Sequence, residues 1–249
     1  MKNRESLLTV AKQAVVLLSG GLDSAVTLYC ALEKGYKCSC LIFDYGQRHK
    51  KEINYAKKIA GIARCSYRII NIDLPWKGSS LLDGELSVTP HPLPSPHRGE
   101  GLGEGDNIEI PLTYVPSRNI IFLSFALSYA EALNAGAIFI GAHAQDYSGY
   151  PDCRPEFYRA FIKAAKAGTK AGVQGNPIKI ITPLINKNKS QIIKLGKKLN
   201  VPFEYTWSCY EGAQSPCGRC DSCYFRAKGF KEAGLEDFGM LRGGNRRRG

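Results

Sequence analysis

Six consecutive residues, Ser19-Gly20-Gly21-Leu22-Asp23-Ser24, place two glycines, two hydroxyls and a carboxylate where an apolar run ends. Glycines let backbone N–H groups approach phosphate oxygens closely, and a helix starting there adds orphan N–H donors and partial positive charge. Ser19 and Ser24 offer hydroxyls to the same anion. A carboxylate facing a triphosphate repels it unless a cation intervenes, so Asp23 implies Mg²⁺ between the two. The plainer reading of Asp23, a cap on the next helix, needs no nucleotide. No G-x-x-x-x-G-K-[ST] occurs, which excludes the Walker-type phosphate loop.

A second set of reactive side chains is Cys209-x7-Cys217-x2-Cys220-x2-Cys223. Four soft thiolates this close suit one tetrahedral Zn²⁺ in a closed, structural site. An iron–sulfur cluster is the competing metal, but ferredoxin spacing continues to a fourth Cys followed by Pro, and here Cys223 precedes Tyr224-Phe225. The other cysteines, at 30, 38, 40, 65 and 153, are scattered. An odd total with one tight cluster points to reduced thiols plus a metal site, hence a cytoplasmic protein rather than a secreted disulfide scaffold.

The elements that position these residues can be read from apolar periodicity. Strands are expected at 15–18, 38–43, 67–72, 137–141 and 178–182, alternating with helices at 23–33, 51–63, 118–134, 155–167 and 190–199. That alternation predicts an α/β fold with a doubly wound, mainly parallel sheet, its functional loops gathered at the strand C-terminal ends. Residues 1–203 form the expected ATP-binding domain, 204–235 a small zinc-binding subdomain and 236–249 a basic, disordered tail. The stretch 89–106 is rich in Pro and Gly and reads as a flexible insertion in which His91 and His97 are solvated.

The Ser-Gly-Gly-x-Asp-Ser signature at the first strand–helix junction resembles the PP-loop ATP pyrophosphatases. That resemblance implies an adenine nucleotide alpha-hydrolase-like fold that cleaves ATP to AMP and pyrophosphate. It places ATP along Leu18-Ser19-Gly20-Gly21-Leu22-Asp23-Ser24-Ala25-Val26-Thr27-Leu28, and adenine or ribose at Phe43-Asp44-Tyr45. Four further segments extend the likeness: Val115-Pro116-Ser117-Arg118-Asn119, Gly141-Ala142-His143-Ala144-Gln145-Asp146, Tyr150-Pro151-Asp152-Cys153-Arg154-Pro155-Glu156-Phe157 and Thr206-Trp207-Ser208-Cys209-Tyr210. With the phosphate loop and the four cysteines, they resemble the 7-cyano-7-deazaguanine synthases of queuosine biosynthesis over nearly the whole chain.

The resemblance implies a carbon–nitrogen ligase that turns 7-carboxy-7-deazaguanine and ammonia into the nitrile. An adenylated carboxylate and then an amide would be its intermediates. Asp23, Ser24, Arg118 and Arg154 are the expected catalytic residues, with Arg118 or Arg154 clamping the carboxylate or the α-phosphate. Asp146, Asp152 or Glu156 would accept from the guanine-like N–H edge, and Tyr150, Trp207 or Tyr210 would stack on the bicyclic base. The resemblance also implies a homodimer.

The net charge of +12, from 34 basic and 22 acidic residues, attracts polyanions without saying which. Two other readings follow from it. One is a tRNA-modifying sulfurtransferase, for which Cys153 would be the reactive thiol. The other is a zinc-containing nucleic-acid-binding module. An undamaged phosphate loop favours a small-molecule enzyme, and stable nucleic-acid binding is not expected.

Overall fold

The computed structural model describes residues 12–47, 50–75, 79–82, 110, 112–143, 149–211 and 213–241. Asp146, the insertion 89–106 with its two histidines, and the tail from 242 onward lie outside the described residues.

The chain runs β1 (Gln13–Leu17), α1 (Leu22–Glu33), β2 (Lys37–Asp44), α2 (Lys51–Ile62), β3 (Ser66–Asn71), α3 (Arg118–Ala132) and β4 (Ala137–Phe139). It continues through α4 (Pro155–Gly168), α5 (Lys170–Val173), β5 (Lys179–Ile181), α6 (Lys189–Lys198), α7 (Asp221–Ala233) and α8 (Phe238–Leu241). The strands form one sheet in the order β3-β2-β1-β4-β5, and every pairing is parallel. Successive β1 side chains point to opposite faces. Ala14 and Val16 pack under α1, α2, α6 and α7, whereas Val15 and Leu17 pack under α3 and α4. Burial on both faces explains why the strands read as continuous apolar runs. Strand order reverses between β1 and β4, so the crevice beyond their C-terminal ends is the place such a sheet offers a ligand.

For residues 204–235 the sequence suggests a small zinc-binding subdomain. The structure shows a helix there, α7, with Cys220 at its N-cap and Gly234 at its C-cap in the left-handed conformation. Phe230 of α7 reaches the main core. Gly229 lets α7 close on α6, because a Cβ there would meet Ile193 Cδ1 at 2.9 Å. Buried Arg226 pairs with both Asp237 oxygens at 2.6 and 2.9 Å and donates to Thr206 Oγ1 at 2.9 Å, which fixes the approach to the cysteines. Among the described residues no helix is long and apolar enough to cross a membrane.

Candidate active site

At the reversal of strand order lies a cavity of about 270 Å³, bounded by Ser19, Gly21, Asp23 and Ser24 from the β1–α1 turn. Ser24 Oγ ties the turn together. It donates to the Gly21 carbonyl at 2.9 Å and accepts from the Ser19 backbone N–H at 3.2 Å. Gly20 has φ +87° and faces α2, while Gly21 faces the cavity, so the two glycines serve different ends. The α1 N-terminus has no side-chain cap bond from Gly21, which leaves N–H groups available to an anion.

Asp23 stands in the first turn of α1. Both its oxygens accept from Lys189 Nζ at 2.9 Å, and His143 Nε2 lies 3.5 Å away. Burial alone would raise the Asp23 carboxyl, but Lys189 and His143 outweigh it and hold it well below the usual carboxylate range. Lys189 thus places a cation directly against the carboxylate of the turn.

An aromatic wall faces the turn. Phe43 at the end of β2 stacks on Phe122 of α3 with ring centroids 4.0 Å apart, and Tyr45 meets Phe122 edge-on at 5.3 Å. All three line the cavity. One turn before Phe122, α3 starts with Arg118 directly after Ser117, a non-glycine residue at φ +55°. That backbone is costly for an L-residue and persists only when its surroundings fix it. Here Ser117 N–H donates to Tyr114 Oη at 3.0 Å, and Asn119 N–H donates to Asp152 Oδ2 at 2.9 Å. Burial works against the Arg118 charge, but Tyr45, Cys153 and Asp152 around it keep the guanidinium firmly protonated. Glu52, in the first turn of α2, is the second cavity carboxylate. Burial pushes its carboxyl up to about 7, against the pull of Arg118 and with a further push from Cys209.

The structure thus brings Leu18, Ser19, Gly21, Asp23, Ser24, Arg118, Tyr150 and Tyr210 to one cavity. Leu22, Ala25, Val26 and Leu28 instead point into the core, with Thr27 buried beside Gly141. Asp152 is buried and organises the start of α3. Arg154 has Nε and Nη2 buried without hydrogen-bond partners. Glu156 is exposed and pairs with Arg159 at 2.6 Å, away from the cavity lining. Trp207 is buried among the metal-site cysteines and Tyr55.

Sequence reasoning missed Glu52, Lys189 and Phe122. No motif marks them, because the fold gathers them from separate helices, Glu52 and Phe122 to the cavity and Lys189 to Asp23. The only local signal was that Lys189 opens a helix, behind an Asn188–Gln191 capping box.

The sulfurs of Cys209, Cys217, Cys220 and Cys223 all lie within 4.8 Å of one another. A tetrahedral zinc site with ~2.3 Å bonds places its sulfurs ~3.8 Å apart, so the cluster can hold such an ion. Backbone N–H groups of Glu211 and Cys217 donate to Cys209 Sγ at 3.4 and 3.3 Å, which favours thiolate there. The same segment grips the phosphate loop. Trp207 N–H donates to the Gly20 carbonyl at 2.9 Å, and its indole N–H donates to the Cys209 carbonyl at 2.8 Å. Stripping metal from the folded protein should therefore weaken binding of a non-hydrolysable ATP analogue by about tenfold or more. Calorimetric titration before and after chelation checks this, and unchanged affinity would mean the cluster acts on its own segment alone.

The family described as Queuosine biosynthesis protein QueC matches residues 13–234. The chain is 52% identical over 227 residues to a 7-cyano-7-deazaguanine synthase from Acetivibrio thermocellus, covering 91% of this chain and 96% of that one. It is also 52% identical over 222 residues to a 7-cyano-7-deazaguanine synthase from Picrophilus torridus, covering 89% and 88% respectively.

Proposed function

Since this chain belongs to the queuosine biosynthesis protein QueC family, we propose that it uses ATP to convert 7-carboxy-7-deazaguanine and ammonia into 7-cyano-7-deazaguanine. The observation that carries this reading is the union, in one cavity, of a glycine-containing turn at a helix N-terminus, an arginine and an aromatic wall. A carboxylate is a poor electrophile because its leaving group would be oxide. Its attack on the α-phosphate gives an acyl adenylate and expels pyrophosphate, after which ammonia displaces AMP. The resulting amide must also lose its oxygen, so a second activation precedes the nitrile. Positioning and charge stabilisation are the protein's main tasks.

In this reading the Ser19–Ser24 turn receives the pyrophosphate and Arg118 orients the substrate carboxylate. The aromatic wall of Phe43, Tyr45 and Phe122 takes a flat ring, and Tyr150 and Tyr210 line the same cavity. The buried, unpartnered donors of Arg154 are the second candidate for an anion. Asp23 would hold the Mg²⁺ that accompanies ATP, whose charge offsets the negative charge on the departing pyrophosphate. One zinc per chain in the closed cysteine site would be structural.

The test is to incubate the protein with Mg-ATP, ammonium and 7-carboxy-7-deazaguanine and to follow AMP and product mass together. Substrate-dependent AMP with the nitrile mass supports the reading, and neither product from a folded, zinc-loaded sample overturns it. Cys153 lines the same cavity, which is the observation that favours sulfur transfer as a second reading. Cys153→Ser should keep nitrile formation within about tenfold, since a hydroxyl oxygen can accept from Asn119 in place of the weaker sulfur acceptor. Complete loss, with release of sulfur-labelled product by wild type, would move the assignment to thiol chemistry.

A further inference from the structure

Ammonium is a cation, and a cavity that must admit it needs an anion not already engaged. Two carboxylates line the cavity among the described residues, Asp23 and Glu52. Asp23 is engaged by Lys189 through both oxygens. Among the described residues the Glu52 side chain has no hydrogen-bond or salt-bridge partner, and it lines the cavity. The first turn of α2 holds it against the phosphate turn, with the Glu52 backbone carbonyl packed on Gly20. The ionisable groups that act on it are Arg118 from α3 and Cys209 from the metal-binding segment, and Glu52 in turn acts on Tyr45 after β2.

We propose that the Glu52 carboxylate docks ammonium and removes its proton, so that free ammonia attacks the activated carboxyl carbon oriented by Arg118. This rests on the reaction proposed above. One N–H proton passes to Glu52. The nitrogen lone pair forms the C–N bond, the C–O bond to AMP breaks with AMP taking the electron pair, and the amide sheds a second proton to solvent. A half-neutral carboxyl near physiological pH suits such a proton acceptor, and burial places Glu52 there.

The experiment compares wild type with Glu52→Gln in three assays on the full-length, zinc-loaded protein. These are acid-dependent exchange of labelled pyrophosphate into ATP, ammonium-dependent AMP release, and hydroxylamine-dependent AMP release with hydroxamate formation. Hydroxylamine is uncharged at neutral pH and needs no base to become a nucleophile. In Glu52→Gln the ammonium reaction should fall about 10²-fold or more, with a raised ammonium KM, while exchange and the hydroxylamine reaction change little. Glu52→Asp should recover part of the ammonium rate. Ammonium turnover unchanged in Glu52→Gln overturns the proposal, as does a parallel fall in all three assays, which would put Glu52 on the phosphate side or in the fold. A wild type that shows no acid-dependent exchange overturns the reaction itself, and the proposal with it.

Discussion

Asp23→Asn is expected to lower the rate of ATP cleavage about 10³-fold while leaving metal-free binding of an ATP analogue intact or tighter. The variant keeps the shape of the side chain and removes only its charge. In the free protein that charge pairs with Lys189 at 2.9 Å and lies near His143. Its loss leaves the Lys189 ammonium without its carboxylate partner beside the turn, which favours a polyanion. It also removes the one carboxylate of the turn, to which the proposed function gives the Mg²⁺ of ATP. Binding and turnover should therefore move in opposite directions, which loss of fold would not produce.

A linked pH effect follows. Because the Asp23 carboxyl sits well below its usual value, its pairing stabilises the fold fully above the ordinary carboxylate range. That stabilisation is lost only as pH falls into strong acid. Thermal melting from neutral to acid pH should show a shallower acid decline in Asp23→Asn than in wild type. If turnover stays within about tenfold, Asp23 is an ion-pair and helix-start residue and the metal role is removed.

The sheet was legible because strands buried on both faces must be apolar runs, as Val15-Val16-Leu17 and Leu41-Ile42-Phe43 are. Helix α7 was not, although its buried positions, Cys223, Arg226, Gly229 and Phe230, keep helical spacing. Their occupants hid it. A metal-site thiol, an ion-paired guanidinium and a close-packing glycine stand where aliphatic side chains would announce a helix. The site divides in the same way. The phosphate turn, Arg118 and the cysteines sit in compact motifs, because local backbone geometry defines their work. Lys189 meets Asp23 across 166 residues, and Glu52 reaches the cavity only because α2 lies on Gly20. No local pattern encodes such meetings. Trp207 shows the converse: an aromatic near the site suggests stacking, yet its ring lies under Lys51 at 4.5 Å and against Tyr55, so packing claimed it.

The two glycines of the turn allow folding and ligand binding to be separated by the same small change. At Gly20, alanine would have to adopt φ +87° and drive its Cβ into the Glu52 carbonyl and to 2.8 Å from Ala56 N. Both obstacles are backbone of α2, which cannot rotate aside. The left-handed backbone costs an L-residue about 1–2 kcal/mol. Overpacking adds about 1–3 kcal/mol. Gly20→Ala should therefore destabilise the protein by about 3 kcal/mol and shift the phosphate turn, with activity falling about 10²-fold or more. At Gly21 the new Cβ would meet nothing closer than Ser19 Oγ at 3.3 Å and the Trp207 carbonyl at 3.6 Å, with no positive φ. Gly21→Ala should thus melt within a few degrees of wild type, but its methyl group would crowd the cavity at the turn proposed to receive phosphate. Its KM for ATP should rise about tenfold or more. Chemical denaturation and ATP kinetics on the pair decide the matter. Two variants that lose stability and ATP affinity together would make the whole turn a structural hairpin, whereas stability lost at Gly20 and affinity lost at Gly21 would assign one residue to holding α2 and the other to receiving phosphate.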